Sequence, residues 1–439
     1  METDWALAYR HERALHDAFE RIDRVADHNQ EKVLNAFREC RVAETDMFGS
    51  TGYGYGDRGR EQLERVFTLV FGGERALVRP AITSGTHALA VGLFALLRPG
   101  DRLIYATGMP YDTLHPVIGL RPGSGSLAEF GVSFTAVELL SDGSVDRRRL
   151  VELLQDDKLQ EPGATAWTVQ DKPDKRWPAP QGGVGRREKR TVVALQRSAG
   201  YAWRRALTVS EMGAVVKDVK TTDPNVLVLV DNCYGEFTEK QEPGDVGVDL
   251  TIGSLIKNPG GGLAPTGGYI VGSADAVGAA GQRLTAPGIG GESGSHESYR
   301  LYFQGLFLAP HIVAEALKGK LFAARLLADA GFPCEPAAEV DGGGDIVLRV
   351  RLGSADRLIR FCQAIQRASP VGSHVAPEPW DMPGYADPVI MASGAFVQGS
   401  SIELSADGPL REPYIAYLQG GLTYSHVKIA ILHALKEMG

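Results

Sequence analysis

At 439 residues, with 44% hydrophobic and 23% charged side chains, the chain has the make-up of a globular protein of two or three domains. A formal net charge of −8 argues against general affinity for nucleic acid or an anionic membrane. No apolar stretch approaches a membrane span, no secretory signal is readable at Met1, and the 4 cysteines form no CxxC pair. The class expected on these grounds is a cytoplasmic enzyme with reduced thiols and no metal site.

Residues 5–43 set Leu34, Phe37 and Ala43 at helical spacing among mixed charges, which predicts helix. A turn rich in glycine and tyrosine follows from Gly52 to Gly59, and a helical pattern resumes over 61–71. From there short β-rich runs (76–82, 102–105, 132–137, 191–195, 226–230, 250–252 and 268–271) alternate with longer amphipathic ones. That rhythm predicts an α/β fold, a mainly parallel sheet with helices on both faces. Apolar runs without polar alternation suit strands buried on both sides. Residues 160–190, rich in Pro, Gly and charge, read as a surface excursion of this unit. A long helix over 311–330 leads into a smaller α+β unit, with strands expected at 346–350 and 401–404 and a final helix over 424–437. The division expected is an N-terminal arm and interface loop (1–60), a large unit (61–310) and a small one (311–439).

Three segments carry chemistry. Ser84-Gly85-Thr86 lies between a strand-like and a helix-like stretch, where backbone N–H groups and small hydroxyls make an anion site, or where Ser84 only caps the helix. Asp231 closes the run 226–230, at the strand end where ligands of parallel sheets collect; it can hold a pyridine nitrogen protonated, or merely form a turn with Asn232. Lys257 sits among small and apolar residues before Pro259 and a glycine run. Lost solvation there is expected to lower its pKa and make it nucleophilic toward an aldehyde, while a surface loop lysine is the plainer reading. An amine for an aldehyde, an acid for a ring nitrogen and a cradle for a phosphate are what pyridoxal 5'-phosphate requires. Gly54 to Gly59 formally matches GxGxxG, but polar residues precede it and no acidic residue closes a second strand, so a dinucleotide site is not expected. For a substrate carboxylate, Arg411 and Arg197 compete, and either also fits an ion pair.

These residues, in this order, resemble a fold-type I pyridoxal phosphate enzyme of the cysteine/methionine-metabolism family, within its methionine gamma-lyase-like, aluminium-resistance branch. The likeness is carried by Ser84 to Leu89, Val230 to Glu236, Gly253 to Gly262, Gln196-Arg197-Ser198 with Gly200-Tyr201, and Gln419 to Tyr424. It implies that Lys257 forms the Schiff base and moves the substrate's α-proton. Asp231 would meet the pyridinium nitrogen, and Ser84, Gly85, Thr86 and Ser254 the phosphate. Tyr111 would stack on the cofactor ring, and Arg411 would take the α-carboxylate. It further implies that Tyr53 or Tyr55, with Arg58, reaches a neighbouring subunit's phosphate site, making a homo-oligomer, dimeric at its active sites and tetrameric overall. The expected reaction is elimination of a β- or γ-substituent from an amino acid. Replacement or aldol-type chemistry on the same aldimine, or a non-catalytic relative of the fold, stand as alternatives.

Overall fold

The computed structural model describes residues 4–121, 124–156, 189–337 and 344–438; most of the expected excursion at 160–190 lies outside them. The β-rich runs become the strands β1 (Arg75–Arg79), β2 (Arg102–Tyr105), β3 (Ser133–Ala136), β4 (Thr191–Gln196), β5 (Leu227–Asp231), β6 (Leu250–Ser254) and β7 (Gly268–Gly272). They form one sheet in the order β1-β7-β6-β5-β4-β2-β3. The five strands from β6 to β3 run parallel, and β7 is antiparallel to both of its neighbours.

Period-two alternation explains why both faces are covered. Leu103, Val192 and Leu229 join one core with Leu89 and Leu93, whereas Ile104, Val193 and Val228 join another with Met212 and Val215. Helices α1 (Trp5–Ala14), α2 (His16–Glu39) and α3 (Arg58–Phe71) precede the sheet, and α4 (Gly85–Leu96) and the short α5 (His115–Ile118) follow β1 and β2. Further along come α6 (Arg147–Gln155), α7 (Val209–Thr222) and α8 (Ala274–Leu284). The expected N-terminal helix is thus broken at Leu15, and the helix expected from 61 starts earlier because Asp57 caps it, accepting from the Arg60 N–H.

Helix α9 (Arg300–Asp329) is 30 residues long and begins well before position 311, where helix was expected. After it come the short strand β8 (Cys334–Glu335), β9 (Val347–Arg351), helix α10 (Ala355–Arg367), strands β10 (Val389–Ala392), β11 (Ser405–Pro409) and β12 (Ile415–Gln419), and helix α11 (Tyr424–Met438). This second sheet is antiparallel throughout, in the order β10-β11-β12-β9-β8. Leu348, Val350, Ala406, Ala416 and Leu418 pack beneath α9, α10 and α11. The strand expected at 401–404 forms four residues later. Here the Ile402 N–H donates to the Ile256 carbonyl (3.1 Å) and the Ile402 carbonyl accepts from the Gly421 N–H (2.8 Å), while Glu403 accepts from the Phe396 and Val397 N–H groups (2.8 Å each).

Candidate active site

The carboxyl ends of the parallel strands bring the chemistry-bearing residues to one edge. Asp231 ends β5, opposite Gln196 of β4 and Ile252 of β6, and is buried. Its Oδ1 accepts the Cys233 N–H at 3.1 Å. Burial pushes the Asp231 carboxyl above its ordinary value, while Cys233 and the Lys257 charge pull part of that back. Tyr234 follows in the left-handed region (φ 69°), an uncommon conformation for a residue with a side chain.

Lys257 stands three residues past the end of β6. Its Nζ lies 3.3 Å from the centroid of the Tyr234 ring, a cation–π contact. Burial alone pulls the ammonium down, but Tyr234, Cys233 and Asp231 outweigh it, and the net direction is up. This corrects the sequence-based expectation of a lowered pKa. The sequence shows no carboxylate near position 257, yet folding brings one from β5. Asn258 ties the lysine turn to the neighbouring loop, donating from Nδ2 to the Glu236 carbonyl at 2.8 Å. Gly261 (φ 52°) is required behind it, since a Cβ there would stand 2.3 Å from the Gly305 carbonyl oxygen of α9.

Ser84 caps α4, its Oγ accepting the His87 N–H at 3.1 Å, so the plain capping role is in place. The N–H groups of Gly85 and Thr86 lead the helix and have no partner in its ladder. A Cβ on Gly85 would lie 3.2 Å from Cys233 Sγ and 3.6 Å from Ser254 Cβ. The helix N-terminus, Ser254 and the Asp231–Cys233 turn therefore converge. Thr86 Oγ1 is 2.7 Å from Thr113 Oγ1. This arrangement fits pyridoxal phosphate: an amine, a buried acid and an anion-binding helix end share one sheet edge.

Tyr111 is fixed from two sides. Its N–H donates to Gln196 Oε1 (2.9 Å), and its hydroxyl is 2.8 Å from that of Tyr385. Its ring meets Tyr201 at 5.4 Å between centroids. Tyr53 and Tyr55, by contrast, are 75% and 66% exposed and stack on each other at 5.7 Å. Among the described residues no hydrogen bond or ring contact joins them to the Lys257 group. Arg58 is exposed and pairs with buried Asp46.

The two candidate arginines fall in different places. Arg197 is fully buried, donating to Asn232 Oδ1 (2.8 Å), Thr238 Oγ1 (3.2 Å) and Glu239 Oε1 (2.7 Å), and it lies against the bare backbone of Gly235. It braces the loop after Asp231 and turns no free face to a substrate. Arg411 is partly exposed, pairs with Asp387 at 2.9 Å, and lies close enough to act electrostatically on Tyr417.

Sequence reading passed over Tyr234, Tyr385 and, above all, Asp407. The β11–β12–β9 register sets Asp407, Tyr417 and Arg349 in one row, on the face turned away from the small-sheet core. Asp407 is buried. Burial pushes its carboxyl up to about 7, with Tyr201 and Lys257 pulling against that rise. Gly408 and Pro409 are poor strand formers, so no local signal in 405–409 marks Asp407 as a strand residue.

The methionine gamma-lyase family matches residues 5–160 and 183–439. An uncharacterized protein, YnbB, of Bacillus subtilis is 47% identical over 420 residues, covering 95% of this chain and 92% of its own. A solved carbon-sulfur lyase involved in aluminum resistance from Clostridium novyi is 45% identical, with TM-score 0.87, over 99% of this chain and 96% of its own. A pyridoxal-5'-phosphate dependent protein, YhfS, of Escherichia coli shares the fold at 17% identity and TM-score 0.59, over 94% of this chain and 95% of its own. With nearly its whole length matched, the chain belongs to the methionine gamma-lyase family.

Proposed function

We propose that this protein is a pyridoxal phosphate-dependent lyase that eliminates a β- or γ-substituent, joined through sulfur or another heteroatom, from an amino acid. The observation that carries the reading is the convergence of Lys257, Asp231 and the N-terminus of α4 at the carboxyl edge of the sheet. Family membership and the name of the Clostridium novyi relative support it.

In this reading Lys257 holds the cofactor. Asp231 faces its ring nitrogen, the Ser84-Gly85-Thr86 helix end and Ser254 hold its phosphate, and Tyr111 lies against its ring. When bound, the cofactor supplies an electron sink for a carbanion at the substrate's Cα. The Lys257 amine takes the α-proton and, for γ-elimination, the second proton at Cβ. The Tyr111 hydroxyl, paired with Tyr385, or the Lys257 amine passes a proton to the departing group. Arg411, partly exposed, receives the α-carboxylate, exchanging Asp387 for it. Tyr53, Tyr55 and Arg58 belong to the phosphate site of a second copy, making the protein a homo-oligomer with shared active sites, taken here as a tetramer. Its compartment is the cytoplasm; among the described residues no helix is long and apolar enough to cross a membrane.

The test is direct. Protein reconstituted with pyridoxal phosphate and dialysed should keep a visible absorption band, and Lys257→Ala should lose it. A colourless wild type would sink the reading. Mass analysis of the keto acid then separates the reactions, pyruvate marking β-elimination and 2-oxobutanoate γ-elimination.

A further inference from the structure

Asp407 is a buried carboxylate that the proposed chemistry leaves without a task. It is 4% exposed, yet no arginine, lysine or histidine forms an ion pair with it among the described residues. The cations that share its side of the small sheet are engaged elsewhere. Arg349, in the same row, pairs with Asp345, and Arg411 pairs with Asp387. Lys257 acts on Asp407 only across a distance, and Lys257 belongs to the cofactor.

Phenol rings close the space around it. Tyr201 meets Tyr111 at 5.4 Å, Tyr385 at 5.9 Å and Tyr417 at 4.8 Å between centroids, and Tyr111 meets Tyr385 at 6.0 Å. Asp407 acts electrostatically on all four. Aromatic faces carry negative potential, and with the Asp407 carboxylate paired in register with Tyr417 beside them they make a receptor for a positive charge. A carboxylate-ended side chain would be repelled here, and a neutral one would leave Asp407 with the Tyr201 hydroxyl but no counter-charge. The site already holds one ammonium this way, with Lys257 over the ring of Tyr234.

We propose that Asp407, with Tyr111, Tyr201, Tyr385 and Tyr417, binds an ammonium group at the far end of the substrate's side chain. The preferred substrate is then an amino acid with a second amino group beyond the bond that breaks. This rests on the lyase reading above and assigns its specificity-determining residue.

The test uses holoenzyme and a matched pair of ligands without a leaving group: L-lysine, with an ammonium at the end of its chain, and L-norleucine, with a methyl there. By calorimetry the wild type should bind lysine at least about tenfold more tightly, the scale of a desolvated cation–aromatic contact. Asp407→Asn should remove that preference while changing norleucine affinity by less than about twofold and leaving the cofactor band intact. Asp407→Glu, which keeps the charge but extends it, should shift the preference from lysine toward the shorter L-ornithine, and it serves if the Asn variant fails to fold. Turnover of S-(2-aminoethyl)-L-cysteine against S-propyl-L-cysteine, and of their homocysteine counterparts, should follow the same order. Equal affinity of the coloured wild type for both ligands, or equal losses for both in Asp407→Asn, overturns the inference alone. A wild type that takes up no cofactor overturns the lyase reading and this one with it.

Discussion

Substituting Asp345 by Asn tests how the two sheets are joined. Asp345 and Arg349 are fully buried and Lys320 is 3% exposed. Lys320 Nζ donates to the Asp345 carbonyl (2.6 Å) and Oδ1 (3.2 Å), Ser198 Oγ donates to Oδ2 (2.9 Å), and Arg349 completes the cluster. Burial alone pushes the Asp345 carboxyl up, but Arg349, Lys320 and Ser198 hold it well below the usual carboxylate range. The Asn variant keeps volume and shape and takes from Arg349 and Lys320 the carboxylate they share. Removing one partner of a buried pair costs about 3–5 kcal/mol. Lys320, whose pKa burial already lowers to about 8, can relieve part of this by shedding its proton, which places the loss toward the lower end. Urea unfolding at neutral pH, followed in parallel by circular dichroism and fluorescence, is the assay, because a chain of this size need not unfold in one step. A second readout comes through Ser198, whose carbonyl accepts from Gln196 Nε2 (2.9 Å) while Gln196 Oε1 holds the Tyr111 N–H. Tyr111 should therefore be less firmly fixed in the variant, and ligand affinity should fall with stability. A loss below about 1 kcal/mol, the level of an exposed pair, would refute the reasoning.

Three further outcomes are expected. Glu236 is buried with Oε1 accepting from the Tyr269 hydroxyl (2.7 Å), and burial raises its pKa to about 8. The folded state therefore keeps a proton that the unfolded chain has lost. The stability this gives is full below about 4.5 and gone above about 8, falling by up to about 1.4 kcal/mol per pH unit, and Glu236→Gln should flatten that slope in denaturation measured across the range. L-Lysine binding should weaken as pH falls through about 7, where Asp407 gains a proton, while L-norleucine binding stays level. The groups on Asp407's side of the sheet are Tyr111, Tyr201, Tyr234, Tyr385, Tyr417 and Lys257, and Cys362 of α10 interacts with it through the sheet; their own shifts are all upward, so a lysine curve flat between pH 6 and 8 would count against the assignment. Finally, Tyr55→Ala should raise the pyridoxal phosphate dissociation constant by about tenfold or more and weaken assembly in size-exclusion chromatography, as an aromatic anchor at an interface should. Unchanged values in both would remove the loop from the shared site.

How far the sequence reaches depends on the distance over which each signal acts. The strands leading to Asp231 and Lys257 are legible because continuous apolar runs such as 226–230 are dictated by burial on both faces, a local property. β11 is not, because Ile402 is tied instead to Ile256, distant in the chain, and the ladder forms over Gly408 and Pro409. Arg197 reads as a possible carboxylate ligand by type, and only the fold shows Asn232, Thr238 and Glu239 closing around it. Tyr385 lies in a stretch rich in Pro, Gly and Asp with no periodicity to reveal it. The direction of the Lys257 shift has the same cause: its partners Tyr234 and Asp231 are more than twenty positions away in the chain.

Helix α9 touches two of these places at once. At Gly305 its backbone lies against Gly260 and Gly261 behind Lys257, and at Lys320 it grips Asp345. The fifteen residues between these points span about 22 Å of rod. Pro310 lies between them and removes one ladder hydrogen bond, the point at which the helix can bend. Closure of the small sheet as a rigid flap would have to drag the lysine turn along, bend α9 at Pro310 or break the Asp345 cluster. The lysine turn and the Asp345 cluster are therefore coupled through one helix, and a change at either reaches the other.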